Sequence, residues 1–279
     1  MKKAVKIISL LSIALIFSIL FYACSKDSSS MSSTVPAGAQ NVSLYLTDRP
    51  GFFDKVLIDI RSVEVLVDTC SGRQNRYQQD HCNVWDTLNV TPGIYDLLTL
   101  RNGADTLLAG ATIPAGNISY IRIQLGPLDS LVKDSVSYPL EIRDSSIVLL
   151  DVQNNKWDEF APGRYRLWLD FDAERSIVNV RGNEFYLSPF ITVFTLNTTG
   201  SISGNVSPMA AYPVISVYNS SDTSYALPSW NGQFQVRGLT PGTYSVFINA
   251  SNGYADTTIT GVNVTASQQV SIGNIKLHK

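Results

Sequence analysis

From residue 41 onward, apolar and polar positions alternate with a period of two. That spacing puts every second side chain on one face of a β-strand. Val42, Leu44 and Leu46 share one face; Ile121, Ile123 and Leu125 share another; Tyr165, Leu167, Leu169 and Phe171 share a third. Within Lys55–Asp68 the phase slips, with Val56, Ile58 and Ile60 on even positions and Val63, Val65 and Val67 on odd ones. A one-residue slip inside a strand predicts a β-bulge. Ile272–Ile275 repeats the slip around Gly273. No stretch past residue 24 sustains a 3.6-residue period with helix caps. The expected class is all-β, two β-sandwich domains after a cleaved N-terminal segment.

Turn chemistry punctuates these strands. Pro92-Gly93-Ile94-Tyr95, Pro162-Gly163-Arg164-Tyr165 and Pro241-Gly242-Thr243-Tyr244 share the spacing Pro-Gly-x-Tyr. Proline presets φ for the first corner and glycine supplies positive φ at the second, which predicts type II turns. Each tyrosine should then enter a strand with its ring buried and its hydroxyl bonded to a loop, as corner tyrosines do in sandwiches. Asn231-Gly232 reads as a tight hairpin with both residues at positive φ.

The N-terminus has a different pattern. Lys2, Lys3 and Lys6 precede an uncharged apolar run of 17 residues, Ile7–Ala23, shorter than the roughly 20 residues of a spanning helix. It ends at Phe21-Tyr22-Ala23-Cys24, which resembles the lipobox of bacterial lipoproteins with Phe21 where Leu is usual. The resemblance implies a signal peptide over 1–23, cleavage before Cys24 and acylation of Cys24, giving membrane attachment through several chains. The alternative is an uncleaved anchor with an incidental cysteine. Residues 24–40 are serine-rich without apolar periodicity, as a tether would be; its 16 residues after Cys24 reach about 50 Å when stretched. Ser25-Lys26-Asp27 resembles a surface-export signal of some Gram-negative lipoproteins, and the resemblance implies an outer-membrane lipoprotein exposed on the cell surface.

Charge and cysteine usage narrow the partners. Removal of the three N-terminal lysines leaves 18 basic against 23 acidic residues, a net charge of −5. A mildly acidic body argues against nucleic acid, whose phosphates need clustered Lys and Arg. With Cys24 assigned to lipid, Cys70 and Cys82 remain as an even pair in an oxidising compartment, the setting of a disulfide across a polar loop. The alternative is a metal site with His81, which lacks a fourth ligand nearby.

Two stretches resemble known families. Leu46-Thr47-Asp48-Arg49-Pro50, Trp85-Asp86-Thr87-Leu88, Tyr95-Asp96-Leu97-Leu98, Tyr120-Ile121-Arg122-Ile123, Leu169-Asp170-Phe171-Asp172 and Tyr186-Leu187-Ser188-Pro189 are similar to a domain of unknown function, number 4382, expected over 41–197. Gly200-Ser201-Ile202-Ser203-Gly204-Asn205-Val206, Asn231-Gly232-Gln233-Phe234, Leu239–Tyr244 and Gly261-Val262-Asn263-Val264 resemble carboxypeptidase regulatory-like domains, expected over 198–279. That resemblance implies a seven-stranded, transthyretin-like sandwich that spaces or docks other domains.

Catalytic chemistry is sparse. His81 and His278 are the two histidines of the chain, so nucleophilic triads have almost no base; a two-carboxylate glycosidase remains the hydrolytic option. The best constellation is Asp170, Asp172 and Glu174, at i, i+2 and i+4 on one strand side, with Asp48 able to join from its own strand end. Several carboxylates fit a calcium ion; the alternative is a solvated strand end whose acids pair with Arg49, Arg166 or Arg175, leaving no cofactor. Trp85, Trp157, Trp168 and Trp230 each read as core or as a sugar platform, with Trp157 the expected exposed one because Asn154-Asn155-Lys156 and Asp158-Glu159 surround it. Asp-Ser/Thr-apolar triplets such as Asp105-Thr106-Leu107 resemble an O-glycosylation acceptor.

The expectation is thus a lipid-anchored envelope protein that binds a glycan or protein partner, or serves as an adhesive or scaffold component, without catalysis. A fimbria-like subunit is the alternative, with Gln268–Lys279 as the donated strand. A hydrolase comes third.

Overall fold

The computed structural model describes residues 34–70, 82–143, 145–152 and 157–279. Cys24, the apolar run before it and His81 lie outside these. Among the described residues no helix is long and apolar enough to cross a membrane.

The alternating runs become strands. In chain order they are β1 (Ala39–Arg49), β2 (Lys55–Asp68), β3 (Asn83–Val90), β4 (Gly93–Asp96), β5 (Thr106–Pro114), β6 (Asn117–Leu125), β7 (Ser130–Lys133), β8 (Val136–Ile142), β9 (Ile147–Asp151), β10 (Asp158–Ala161), β11 (Arg164–Asp172), β12 (Ile177–Arg181), β13 (Glu184–Leu187) and β14 (Ile191–Phe194). These fourteen form one hydrogen-bonded network. β1 runs parallel to β11, pairing Leu44 with Leu167 and Leu46 with Leu169, and antiparallel to β5. β2 is long enough to pair β4 and β7 with its first half and β3 and β6 with its second. Its register against β6 shifts between Ile60 and Ser62. That is the bulge predicted from the phase slip, and it lets both Ile58 and Val65 face one core although their positions differ in parity.

This first core is built from fully buried Val42, Leu44, Ile58, Val63, Val65, Ile121, Leu167 and Leu169 among others. A disulfide joins Cys70 and Cys82 at the open ends of β2 and β3, with Cα atoms 5.3 Å apart. The Thr69 N–H donates to the Cys82 carbonyl at 3.0 Å just inside it. Closing a loop of this size contributes roughly 3 kcal/mol by restricting the unfolded chain.

The second body holds β15 (Gly200–Ser207), β16 (Val214–Tyr218), β17 (Thr223–Ala226), β18 (Gln233–Leu239), β19 (Gly242–Asn249), β20 (Thr257–Val264) and β21 (Gln269–Lys276). A three-stranded sheet, β18-β15-β21, faces a four-stranded one, β17-β16-β19-β20, across a separate core of Ile202, Val206, Ile215, Val217, Phe234, Val246 and Ile248. β21 runs parallel to β15, and two of its residues, Ile272 and Gly273, lie opposite Gly204 alone. Gly273 has φ of +75° there, so the second predicted bulge is present too. The same pairing removes the main support of the fimbria-like expectation. Most of the Gln268–Lys279 tail is already a strand of its own sheet, and donating it would strip β15 of a partner.

Two of the three Pro-Gly-x-Tyr repeats form the expected corner bond, and the glycines differ. The Tyr95 hydroxyl donates to the Thr91 carbonyl at 2.7 Å and the Tyr244 hydroxyl to the Thr240 carbonyl at 2.9 Å, each four residues back. Tyr244 is buried, whereas Tyr95 and Tyr165 are half-buried. Gly163 has positive φ as predicted; Gly93 and Gly242 do not, because they are the first residues of β4 and β19 and take extended backbone. At Asn231-Gly232 only the glycine has positive φ, at +88°. The Gly232 N–H donates to the Ser229 carbonyl at 2.8 Å, so the reversal spans Ser229–Gly232 and not two residues.

Tyr244→Phe removes the corner bond without changing shape. It should lower stability by about 1 kcal/mol, seen as a lower urea midpoint at unchanged slope. An unmoved midpoint would show that the Thr240 carbonyl is satisfied some other way.

Candidate functional site

The face of β11 opposite the first core carries Trp168, Asp170 and Asp172, and all three are buried. Trp168 stacks between Tyr45 at 5.2 Å and Phe194 at 6.1 Å, and its Nε1–H donates to Asp105 Oδ2 at 2.8 Å. Arg237 of β18 completes the group. Its Nη1 donates to the same Asp105 oxygen and to the Gly103 carbonyl, both at 2.8 Å, and its guanidinium lies 5.6 Å from the Trp168 ring centre. One aromatic stack of the first body thus receives a cation of the second. Asn102 adds a further link, donating to the Leu227 carbonyl at 2.8 Å.

Beside this junction lie the predicted acids. Arg49 Nε sits 2.6 Å from Asp170 Oδ2, and Arg49 Nη1 is 3.8 Å from Asp222 of the second body. Burial pushes the Asp170 carboxyl up to about 6 against the pull of Arg49. Asp172 accepts from the Arg175 N–H at 2.9 Å, capping a single-turn helix over Ala173–Ser176. That turn ends the strand spacing, so Glu174 is exposed and off the line of the other two. Asp48 is brought alongside Phe171 by the parallel register. It is buried, neither oxygen closes a hydrogen bond, and burial with Asp170 and Asp172 nearby pushes its carboxyl well above the usual range. Three of the four predicted cation ligands therefore gather, and Arg49 holds the central one.

A different opening flanks the junction. The outward residues of β18-β15-β21 align in cross-strand rows: Gln233 beside Asn205 beside Asn274, and Gln235 beside Ser203 beside Ser271. With Asn102 and Ser229 as walls they line a cleft of about 530 Å³. Its amides are held in place by one another. Gln269 Nε2 donates to Ser203 Oγ at 2.7 Å, Gln235 Nε2 to Gln269 Oε1 at 3.2 Å, and Asn205 Nδ2 to the Asn231 carbonyl at 3.0 Å. None of its twelve lining residues is ionisable.

A family model for a domain of unknown function, DUF4382, matches residues 40–189. The chain belongs to the DUF4382 family. Solved structures similar to it include a type II cohesin–X-dockerin complex from Acetivibrio cellulolyticus, with 25% identity over 28% of this chain and 56% of that one and a TM-score of 0.24. The minor pilin GBS52 of Streptococcus agalactiae gives 13% identity over 85% and 96%, with a TM-score of 0.22. The shaft pilin SpaA of Lactobacillus rhamnosus GG gives 11% over 86% and 98%, at 0.24. The chain spans 56% of the cohesin–dockerin chain and 34% of the Bacillus anthracis TIE protein. No curated protein matches the chain.

The DUF4382 region also corrects the aromatic expectation. Trp157 is half-buried against the first core and its Nε1 is buried without a partner, so it is no open platform. Trp85 carries Arg122 over its ring at 4.2 Å. The open one is Trp230, 89% exposed, in the reversal next to the cleft. Asp68, Cys70 and Cys82 cluster closely enough for a metal, but the sulfurs are joined to each other and the Asp68 carboxylate accepts from the Cys70 N–H. Sequence reading missed a second acid pair in this family domain. Asp59 and Asp129 are both buried; Asp129 Oδ1 accepts from the Asp59 N–H at 2.7 Å, while Asp59 Oδ1 and Asp129 Oδ2 have no partner. Burial, with the Asp59 charge adding to it, pushes Asp129 up to about 6.

Because that value lies above the unfolded one, folded Asp129 holds its proton longer than the unfolded chain does. Its contribution is therefore favourable below about pH 4 and is lost as pH rises through about 6. Asp129→Asn removes this loss, so its stability advantage over wild type should grow as pH rises from about 4 and level off above about 6, at about 3 kcal/mol; a constant difference would contradict a raised carboxyl. With Arg49 on Asp170, melting in calcium and in chelator should coincide. A calcium-dependent rise in Tm would show that the cation displaces the arginine.

Proposed function

We propose that the protein is a lipid-anchored component of the bacterial cell envelope that binds a partner without turning it over, in an adhesive or scaffold role. The observation that carries this reading is the cleft itself. It is preformed, sits where two bodies are pinned together, and contains no acid, base or metal-ligand set. Acyl or glycosyl transfer requires a positioned base or a carboxylate pair. Ser203, the hydroxyl nearest the centre of the sheet, receives a bond from an amide and faces no histidine. Among the described residues the one histidine is exposed His278, at the other end of the chain.

The attachment rests on sequence: a basic start, a short apolar run and Ala23-Cys24, followed by the serine-rich tether. Acyl chains at Cys24 and a reach of about 50 Å would hold the two sandwiches clear of a bilayer. The disulfide fits an oxidising compartment. Either sheet system is rigid enough to present loops, the usual carriers of recognition.

Cells grown with radiolabelled palmitate should label the wild-type protein and leave Cys24→Ser unlabelled and released from the membrane fraction. Retention of label and membrane partition by the variant would overturn the anchoring assignment. Cleavage of any glycan or peptide by the purified wild-type protein would overturn the non-catalytic one.

A further inference from the structure

We propose that the amide-lined cleft on β18-β15-β21 is a binding site for an uncharged oligosaccharide, with Trp230 as its stacking surface. The inference rests on the reading above that this is a binding protein, and adds the class of ligand and the residues that hold it.

Size comes first. About 530 Å³ falls within the roughly 300–1,000 Å³ of ordinary small-ligand sites. Those sites are usually lined by apolar groups, and this one is not. Its walls are primary amides and hydroxyls, and Phe234 beneath them is buried in the second core. A polar lining without charge selects its ligand by elimination. Phosphates, sulfates and carboxylates would enter without a cation to meet them, because the neighbouring Arg237 is committed to Asp105 and Gly103. A folded protein partner would want a desolvated aromatic or aliphatic anchor pocket, which the amide rows do not provide. A string of hydroxyls matches the lining directly. Each amide offers a donor and an acceptor in one plane, as adjacent sugar hydroxyls require of a host.

Arrangement supports the same conclusion. The rows Gln233–Asn205–Asn274 and Gln235–Ser203–Ser271 run across three strands at the regular strand spacing, so hydrogen-bonding groups repeat along the cleft as hydroxyls repeat along a chain of sugars. Several of the amides are already oriented by neighbours, which cuts the ordering cost of binding. Asn274 is exposed and makes no side-chain hydrogen bond, leaving its full capacity for a ligand. Ser229, the first residue of the Ser229–Gly232 reversal, lines one wall of the cleft, and the reversal is tied to Asn205 through the Asn231 carbonyl. That reversal displays Trp230 at 89% exposure. Its indole offers a flat apolar face with a polar N–H, the surface on which a sugar ring can stack.

The test titrates maltohexaose, cellohexaose, xylohexaose, mannohexaose and chitohexaose into the full-length protein, with heparin hexasaccharide as the charged counter-probe. Side-chain amide resonances and tryptophan fluorescence are followed. At least one uncharged chain should shift the Asn205, Gln235 and Asn274 amides and the Trp230 signal, with heparin silent. Trp230→Ala and Asn274→Ala are at exposed positions and should melt like wild type, yet each should weaken binding about tenfold or more. Absence of binding by every uncharged probe, or binding only by heparin, overturns the site while the non-catalytic reading stands. Binding unchanged in both variants places the ligand elsewhere and overturns it as well. Cleavage of a bound probe would leave the ligand class standing and overturn the non-catalytic reading instead.

Discussion

The structure turns on one cation. Arg237 leaves the second sandwich, passes over the Trp168 and Phe194 rings and ends on Asp105, whose Oδ2 also accepts the Trp168 indole N–H. A shared acceptor couples the two halves: the indole of the first body and the guanidinium of the second both donate to one Asp105 oxygen. Asn102 and Gly103 sit on the same loop before β5, so the bond that fixes the junction also fixes a wall of the cleft. Gly103 packs directly against the Gln235 side chain, where a larger residue would collide. Joint and cleft are one piece of architecture.

That junction explains where sequence reading succeeded and where it stopped. Strand content and both bulges were legible, because they depend on local parity: the slip at Ile60–Ser62 and the glycine at 273 each leave a trace in the hydrophobic pattern. Tyr95 and Tyr244 were legible as corner tyrosines for the same reason, since the Tyr-to-carbonyl bond spans four residues. Asp170 and Asp172 were harder. Period-two logic puts them on the face opposite the core and therefore in water, but the second sandwich covers that face. What looked like a solvated strand end is a buried one, served by Arg49 and a helix N-terminus. Nothing local announces a covering that comes from residues 222 and 237.

The tryptophans make the same point in reverse. Trp157 has polar neighbours in sequence and packs on the core; Trp230 has small ones and stands in water. Exposure is set by what the turn Ser229–Gly232 does with the chain. A signal for the cleft did exist. Ser201, Ser203 and Asn205, Gln233 and Gln235, Gln269 and Ser271 all alternate polar with apolar. Only the pairing of β15 with both β18 and β21 shows that the three polar faces form one surface. The charged groups gathered at the junction, Arg49, Asp170, Asp172 and Arg237, are spent on structure.

The central claim is that the two sandwiches behave as one rigid piece, with the cleft fixed at their seam. Residual dipolar couplings of backbone amides in weakly aligned medium test this most directly. The account predicts that couplings from residues 40–195 and from residues 200–277 fit a single alignment tensor. Two tensors of different magnitude or orientation would mean that the bodies reorient independently, and the seam could not hold a preformed site.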